Sequence, residues 1–206
     1  MPANASTAVF SIPGGSSITV PDDIRLMTPF VLAEQGDWFE GEIHFIRRWL
    51  KPGMIVVDVG ANYGLYTITC AQRVGRSGRV WAYEPASLPR SFLAQSVAKN
   101  GLDNVRIAEK ALSDHEGSAR LGIAANAELN SLNESGQSGE NVPLTTLDRE
   151  SSTWERDVDF LKLDAEGEEV RILAGAKEFF ARQHPLVMFE YKAPRCLKWT
   201  RGWLFR

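Results

Sequence analysis

The sequence predicts an α/β protein in which helices cover both faces of a mainly parallel sheet. Three observations predict this class: an apolar strand that stops at Asp58 and opens into a glycine turn, strand-like and helix-like segments that alternate over residues 54–108, and a composition that supports one packed core. The chain has 206 residues, 44% of them hydrophobic, and a formal net charge of -3. This size favours a single domain. This small negative net charge shows no excess of basic residues of the kind that general nucleic-acid binding requires.

Targeting and redox features of the chain are those of an intracellular protein. The N-terminus lacks a charged start followed by an apolar segment, and no apolar run approaches the roughly 20 residues that span a bilayer. The two cysteines, Cys70 and Cys196, have neither metal-ligand spacing nor a disulfide framework. We therefore expect a soluble, cytoplasmic protein with no nucleic-acid partner, no membrane partner and no metal site.

The first 53 residues predict a β lead-in and one helix packed on the core. Residues 9–12, 17–20 and 30–32 have strand composition and are separated by turns rich in Pro, Gly and Asp. Apolar residues at helical spacing predict a helix over residues 40–50, which the Lys-Pro-Gly sequence that follows it ends.

The segment after residue 53 alternates between strand and helix. Its strands are short and apolar, and its helices end at glycines. Strands that are joined by helical crossovers pair in parallel, because parallel neighbours require long connections. The predicted elements are strand 54–58, helix 65–74, strand 78–84, helix 87–100 and strand 104–108.

Beyond residue 113 the alternation breaks and then resumes. Residues 124–141 are rich in Asn, Ser, Gly and Glu, which is equally typical of a mobile lid over a site and of a plain surface loop. Residues 54–191 together are predicted to form the core. The remaining elements are strands 119–123, 142–147, 158–163 and 186–191, and a helix over 166–182 interrupted near Gly175.

The glycine turn after Asp58 narrows the class of ligand. A dinucleotide fingerprint has glycines at its first, third and sixth positions, whereas this turn has Gly60, Asn62 and Leu65 there. The missing glycines argue against a nicotinamide-dependent oxidoreductase. An acid at the strand end suits a ligand with a cationic, amino-acid-like end, such as S-adenosylmethionine. The alternative is that Asp58 and Asn62 only cap the next helix.

Further acids follow the ends of the later strands. Glu84 ends the second core strand, where a carboxylate can accept hydrogen bonds from both ribose hydroxyls, or simply face solvent. Asp164 and Glu166 follow the fourth core strand and are expected in the same crevice, where carboxylates can act as a general base or bind a divalent metal. The helix dipole alone also explains acids near 166–169. Glu190 has the equivalent position on the fifth strand.

Seven motifs together resemble FkbM-type methyltransferases. Their order and spacing carry the resemblance, which extends from about residue 9 to residue 191. It implies a Rossmann-like class I methyltransferase that uses S-adenosylmethionine, most often on a hydroxyl of a sugar or natural product. The motifs are VVDVGANYG at 56–64, YEP at 83–85, NGL at 100–102, KALSD at 110–114 with Gly117, NSL at 130–132, TLD at 146–148 and FLKLDAEGEE at 160–169.

The resemblance also implies roles for individual residues. Glu84 would hold the ribose with Pro85 beside it, and the adenine would lie near Ala111. Asp164, which would also contact the cofactor, and Glu166 would border the methyl-transfer site and are the candidate bases. The methionine end of the cofactor would be lined by Asp58, Gly60, Ala61, Asn62 and Gly64.

The C-terminal tail departs from the family pattern. Residues 192–206 hold five basic residues, no acids and no strand alternation, which is typical of foreign sequence after a truncation. The final strands of the family's sheet would then be missing, and the open edge of strand 186–191 could pair with a second copy as a homodimer. The expected function is O-methylation of a small molecule. The alternatives are a truncated, catalytically impaired cofactor-binding or interaction module and, less favoured, an NAD(P)-dependent oxidoreductase.

Overall fold

The N-terminal part is a hairpin followed by two helices. A computed structural model describes residues 6–122, 131–132, 139–191 and 202–203. The two predicted lead-in strands form an antiparallel hairpin, but residues 30–32, predicted as a strand, lie in a helix. An apolar run of three residues is too short to distinguish the 3.6-residue period of a helix from the two-residue period of a strand. Pro29 suits a first helical turn. The elements are β1 (Thr7–Ile12), β2 (Ser16–Pro21), α1 (Met27–Gln35) and α2 (Gly41–Trp49).

The next five elements confirm the predicted alternation. Every residue of the first core strand is buried, as expected of a strand covered on both faces. The helix after it begins past Gly64, whose φ is 96°, and ends at Gly75. The elements are β3 (Ile55–Val59), α3 (Leu65–Val74), β4 (Arg79–Tyr83), α4 (Ser87–Lys99) and β5 (Val105–Ala108).

A second, smaller sheet follows, with strand order β6-β9-β7-β8. Its last strand ends before the predicted residue 147, because Thr146 caps a short helix by accepting a hydrogen bond from the Arg149 backbone at 3.1 Å. The segment 124–141, predicted as a lid or a plain surface loop, falls largely on residues 124–130 and 133–138, which lie outside the described residues. The elements are β6 (Ala111–Leu112), β7 (Gly117–Gly122), β8 (Ser131–Leu132), β9 (Gly139–Thr145) and α5 (Leu147–Ser151).

The C-terminal part returns to the main sheet. The predicted interruption near Gly175 is confirmed, and a Cβ on that glycine would lie 2.3 Å from the Ser113 carbonyl oxygen. The prediction that the tail holds no strand is wrong for Gly202–Trp203, which pairs antiparallel with Glu190 and Tyr191. An uncovered sheet edge offers free backbone groups, and this pairing satisfies part of that edge. The elements are β10 (Phe160–Leu163), α6 (Glu169–Ala174), α7 (Lys177–Arg182), β11 (Leu186–Tyr191) and β12 (Gly202–Trp203).

The main sheet has the doubly wound topology that the sequence predicts. Its strand order is β12-β11-β10-β3-β4-β5, and every neighbouring pair from β11 to β5 is parallel. The chain moves outward from β3 to β5 and then returns to place β10 on the other side of β3. This reversal makes the carboxyl ends of β3 and β10 a topological switch point, where such sheets bind ligands.

Helices cover both faces of the main sheet. On one face α2, α3 and α4 pack on β3, β4 and β5, and on the other α5, α6 and α7 pack on β3 and β10. The β1–β2 hairpin packs outside α3 and α4 through a third apolar cluster. None of the helices in the described part of the chain combines the length and the apolarity that a bilayer crossing requires.

Candidate functional site

The loops after β3 and β10 touch at the switch point. Gly60 has a φ of 74°, and a Cβ there would lie only 1.8 Å from the carbonyl oxygen of Asp164. The Asp164 backbone N–H donates to the Val59 carbonyl at 3.1 Å. Glycine is therefore required at position 60, because any side chain would separate the two loops. The structure thus brings together two of the residues that the sequence predicts for the site.

The glycine turn is also attached to the end of β4. The backbone N–H groups of Gly60 and Ala61 both donate to the Tyr83 carbonyl, at 3.0 and 3.1 Å. Asn62 has a left-handed φ of 49°, and a Cβ on Gly64 would lie 2.5 Å from a side-chain carbon of α4. Local backbone geometry and close packing therefore select the small residues of this turn.

Glu84 links the turn to the start of α4. It is 7% exposed, and its two carboxylate oxygens accept hydrogen bonds from the backbone N–H groups of Asn62, at 2.7 Å, and Ala86, at 2.9 Å. Burial raises the pKa of Glu84 to about 7, although both backbone hydrogen bonds oppose this shift. Each carboxylate oxygen has a second lone pair. Glu84 can therefore accept ligand hydroxyls while it holds the turn.

Asn62 supplies a second acceptor within the turn that Glu84 holds. Its side-chain oxygen is buried and has no hydrogen-bond partner among the described residues. Buried polar atoms are normally paired, so an orphaned acceptor marks a place where a ligand donor fits. This observation agrees with the predicted cofactor, whose ribose hydroxyls and α-amino group are donors.

Ala111 lies on the side of the crevice nearest β4. It belongs to an apolar cluster of the small sheet that also contains Ala86, two residues beyond Glu84. The Ser87 hydroxyl and backbone N–H donate to the carboxylate of Glu140 at 2.6 and 3.0 Å, which attaches the small sheet to the end of β4. The predicted adenine contact at Ala111 and the predicted ribose contact at Glu84 and Pro85 therefore lie on one side.

Asp58 does not face the crevice with a free charge. Its side chain is 1% exposed, Thr67 donates to one of its oxygens at 2.6 Å, and the ammonium of Lys162 lies 3.5 Å from the other. The sequence argument therefore missed Lys162, which neutralises this acid inside the protein. A lysine inside the buried strand Phe160–Leu163 was the available signal, because buried lysines need a partner. Direct contact between Asp58 and a cofactor stays a prediction.

Asp164 is the accessible acid of this group. Its side chain is 31% exposed and accepts a hydrogen bond from Lys162 at 3.3 Å. Burial works against the charged form of Lys162, but the carboxylates of Asp164 and Asp58 outweigh it and keep the lysine pKa above its usual value.

Glu166 and Glu169 differ in what they do for the loop after β10. Glu166 is half-buried and has a left-handed φ of 51°, a conformation that strains a residue with a side chain. The carboxylate of Glu169 accepts hydrogen bonds from the backbone N–H groups of Ala165, at 2.8 Å, and Gly167, at 3.1 Å. Glu169 is therefore a structural acid that shapes this loop, and the roles of Asp164 and Glu166 stay predictions.

A second group that the sequence argument missed comes from the start of α2. The Tyr66 hydroxyl and the Trp38 indole N–H both donate to Glu40, each at 2.9 Å. The Lys162 ammonium lies 4.8 Å from the centre of the Tyr66 ring. Burial raises the pKa of Tyr66, and the charge of Glu40 adds to the shift. These contacts place Glu40 near the switch point, although it lies far from Lys162 in sequence.

Metal ligation has no support in the described part of the chain, where no group of three His, Cys, Asp or Glu side chains could hold an ion. Glu190, predicted to reach the crevice, lies in β11, and its side chain is outside the described residues.

Comparison with known proteins connects this chain to one family. The sequence matches the family model described as Methyltransferase FkbM domain over residues 58–200. The match extends into the C-terminal tail as far as residue 200. The foreign origin of the tail stays a prediction. No curated protein matches the sequence.

Three solved structures of methyltransferases are similar to this chain. The chain is similar to methyltransferase FkbM from Methylobacillus flagellatus KT, with a TM-score of 0.50 and 17% identity over 69% of this chain and 34% of that one. It is also similar to a putative rRNA-methylase from Clostridium thermocellum, with a TM-score of 0.49 and 12% identity over 73% of this chain and 66% of that one. A SAM-dependent methyltransferase from Aquifex aeolicus is similar with a TM-score of 0.44 and 22% identity over 82% of this chain and 71% of that one. The chain spans about a third of the length of the FkbM structure.

Proposed function

Because the chain belongs to the Methyltransferase FkbM domain family, which uses S-adenosylmethionine, we propose that it transfers a methyl group to a hydroxyl of a sugar or natural product. One observation supports the cofactor site above the others. At the carboxyl edge, Glu84 holds the glycine turn while keeping free lone pairs, and the buried side-chain oxygen of Asn62, within that turn, has no partner among the described residues. Two such acceptors at the carboxyl edge suit a ligand rich in hydroxyl and amino donors.

The described residues suit the separate parts of the cofactor. Glu84 would accept the ribose hydroxyls with Pro85 beside it, and Ala111 would border the adenine within its apolar cluster. Asn62, with Gly60, Ala61 and Gly64, would line the methionine end. When it is bound, the cofactor supplies a methyl group on a positively charged sulfur.

The protein's chemical task is to orient the acceptor hydroxyl and remove its proton. Holding two reactants in line supplies much of the rate enhancement of such transfers. Asp164 is an accessible carboxylate at the carboxyl edge, and Glu166 follows it in the same loop. A carboxylate at this place can accept a hydrogen bond from a hydroxyl and then its proton. We therefore assign the proton acceptor to Asp164 or Glu166.

The acceptor is proposed as a small molecule rather than a nucleic acid. The formal net charge of -3 provides no excess positive charge for phosphate contacts. A second candidate function is a cofactor-binding or interaction module with impaired catalysis.

A titration with three ligands separates these functions. Calorimetry of the purified protein with S-adenosylmethionine, S-adenosylhomocysteine and NAD should show saturable binding of the first two alone. Glu84→Gln should weaken this binding by about tenfold, since an amide has one acceptor oxygen where the carboxylate has two. Glu178→Gln, which changes an exposed acid on α7, is the matched control and should bind like the wild type.

Transfer itself requires a separate assay. Radiolabelled methyl groups from S-adenosylmethionine should appear on members of a panel of sugars and hydroxylated natural products. Binding without transfer to any of them would favour the interaction module. Preference for NAD would overturn the proposal.

A further inference from the structure

Lys162 is a charged residue at the centre of a buried strand. It lies in β10 directly opposite Asp58 of β3, in parallel register, and its side chain is 2% exposed. A buried ammonium is stable only beside compensating acids. The proposed function gives this lysine no role, although it lies among residues of the proposed site.

Two acids share the ammonium. Lys162 donates a hydrogen bond to Asp164 at 3.3 Å, and the nearest oxygen of Asp58 is 3.5 Å away. An ammonium has three N–H donors, so it can serve both carboxylates at once. Lys162 therefore links the buried acid to the accessible one.

The ring of Tyr66 restricts the direction of the ammonium. Its centre lies 4.8 Å from the Lys162 nitrogen, within the range of a cation–π contact. The Tyr66 hydroxyl donates to Glu40 at 2.9 Å, which fixes the ring from its other end. Asp58, Tyr66 and Asp164 thus all contact the ammonium.

The charges of this group do not cancel. Two carboxylates and one ammonium leave one net negative charge, and only Asp164 is accessible, at 31% against 1% for Asp58. A ligand in the crevice therefore meets this charge at Asp164. The sulfonium and α-ammonium groups of S-adenosylmethionine are both cationic and would be attracted to it.

We propose that Lys162 is a positioning residue of the cofactor site. Its ammonium neutralises the Asp58 carboxylate and holds the Asp164 carboxylate in one orientation toward the cationic end of S-adenosylmethionine. This inference rests on the proposed function. Lys162 contacts no ligand in this role and acts through Asp164 alone.

A set of variants tests the inference by calorimetry with S-adenosylmethionine. The double variant Lys162→Met with Asp58→Asn removes one buried charge of each sign and should keep a melting temperature close to that of the wild type. It should bind S-adenosylmethionine about tenfold more weakly, because Asp164 loses its donor. Adding Asp164→Asn to the double variant should weaken binding no further than Asp164→Asn does alone. Lys177→Met, an exposed lysine on α7, controls for lost charge and should bind normally.

The outcomes distinguish three situations. Normal binding by the stable double variant overturns the role of Lys162 and leaves the proposed function intact. The same conclusion follows if the triple variant loses affinity by the product of the fold-losses of the double variant and Asp164→Asn. Failure of the wild type to bind S-adenosylmethionine overturns the proposed function and this inference with it. If the double variant does not fold, nitrogen NMR of the Lys162 ammonium in the wild type decides. Its signal should move on titration with S-adenosylmethionine and stay unmoved in Asp164→Asn, and an unmoved wild-type signal overturns the inference.

Discussion

Glu84 combines two tasks at the scale of the single residue. It holds the backbone of the glycine turn through Asn62, and in the proposed function its remaining lone pairs would accept the ribose hydroxyls. Burial makes ionisation of this carboxyl costly and raises its pKa to about 7. The protonation of Glu84 should therefore affect both the stability of the glycine turn and the proposed ribose contact.

We expect the stability of the protein to depend on pH through Glu84. Its folded-state pKa of about 7 exceeds the usual 4.5, so the folded chain keeps a proton that the unfolded chain releases between these values. The free energy of unfolding should therefore fall by up to about 3 kcal/mol from this group as pH rises through that window, and then level off.

Denaturant unfolding of the wild type and Glu84→Gln at about pH 5 and about pH 8 measures this contribution. Glutamine cannot ionise, so its free energy of unfolding should lose this part of the pH dependence. Equal pH dependence of the two proteins would contradict a raised pKa at this position. Glu178→Gln again serves as the control, because this acid lies on the surface.

At the scale of elements, the N-terminal hairpin is held to α4 by side-chain hydrogen bonds as well as by apolar contacts. The Asn100 amide donates to the Ser17 carbonyl at 2.6 Å and accepts from the Ser17 N–H at 2.9 Å. Ser96 accepts from the Thr19 backbone N–H at 2.8 Å. Asparagine thus mimics a strand partner for the outer edge of β2.

Asn100→Ala should loosen the hairpin. Two backbone groups of Ser17 lose their partner, which costs about 2 kcal/mol. Hydrogen exchange should become faster in β1 and β2, while β3 and β10 keep their protection. Gln95→Ala, an exposed change on the same helix, should leave exchange unchanged. Uniformly faster exchange across the chain would show that Asn100 supports the whole fold rather than the hairpin.

At the scale of the whole molecule, the described residues pair only part of the sheet edge at β11. The two-residue strand β12 pairs with Glu190 and Tyr191, at the carboxyl end of that edge. The predicted homodimer would use the same edge, so pairing within the chain competes with it.

Removal of residues 192–206 should promote self-association. The end of β11 loses its pairing with Gly202–Trp203, and exposed strand edges pair with other chains. Light scattering after size exclusion should show a mass that grows with protein concentration. Removal of residues 204–206 alone, which keeps β12, should preserve the behaviour of the full chain. An unchanged mass after the longer deletion would show that β12 does not protect this edge.

The order of elements and part of the site could be predicted from local pattern. Apolar periodicity and glycine positions identified β3, α3, β4 and α4, because each pattern extends over a whole element. The short run at residues 30–32 could not be assigned, since three residues fit either period. The acids at 84 and 164 were predicted for one edge because the carboxyl ends of parallel strands meet there.

By itself, the sequence determined the doubly wound sheet, the glycine turn at residues 60–64 and the strand-end acids, because these follow from periodicity and from rules for parallel strands. Only the tertiary structure decided which charges meet. Lys162 lies beside Asp58 because β10 pairs with β3 in that register, and Glu40 reaches Tyr66 because α2 packs on α3. Contacts between elements distant in sequence depend on strand order and packing, which no local pattern of residues records.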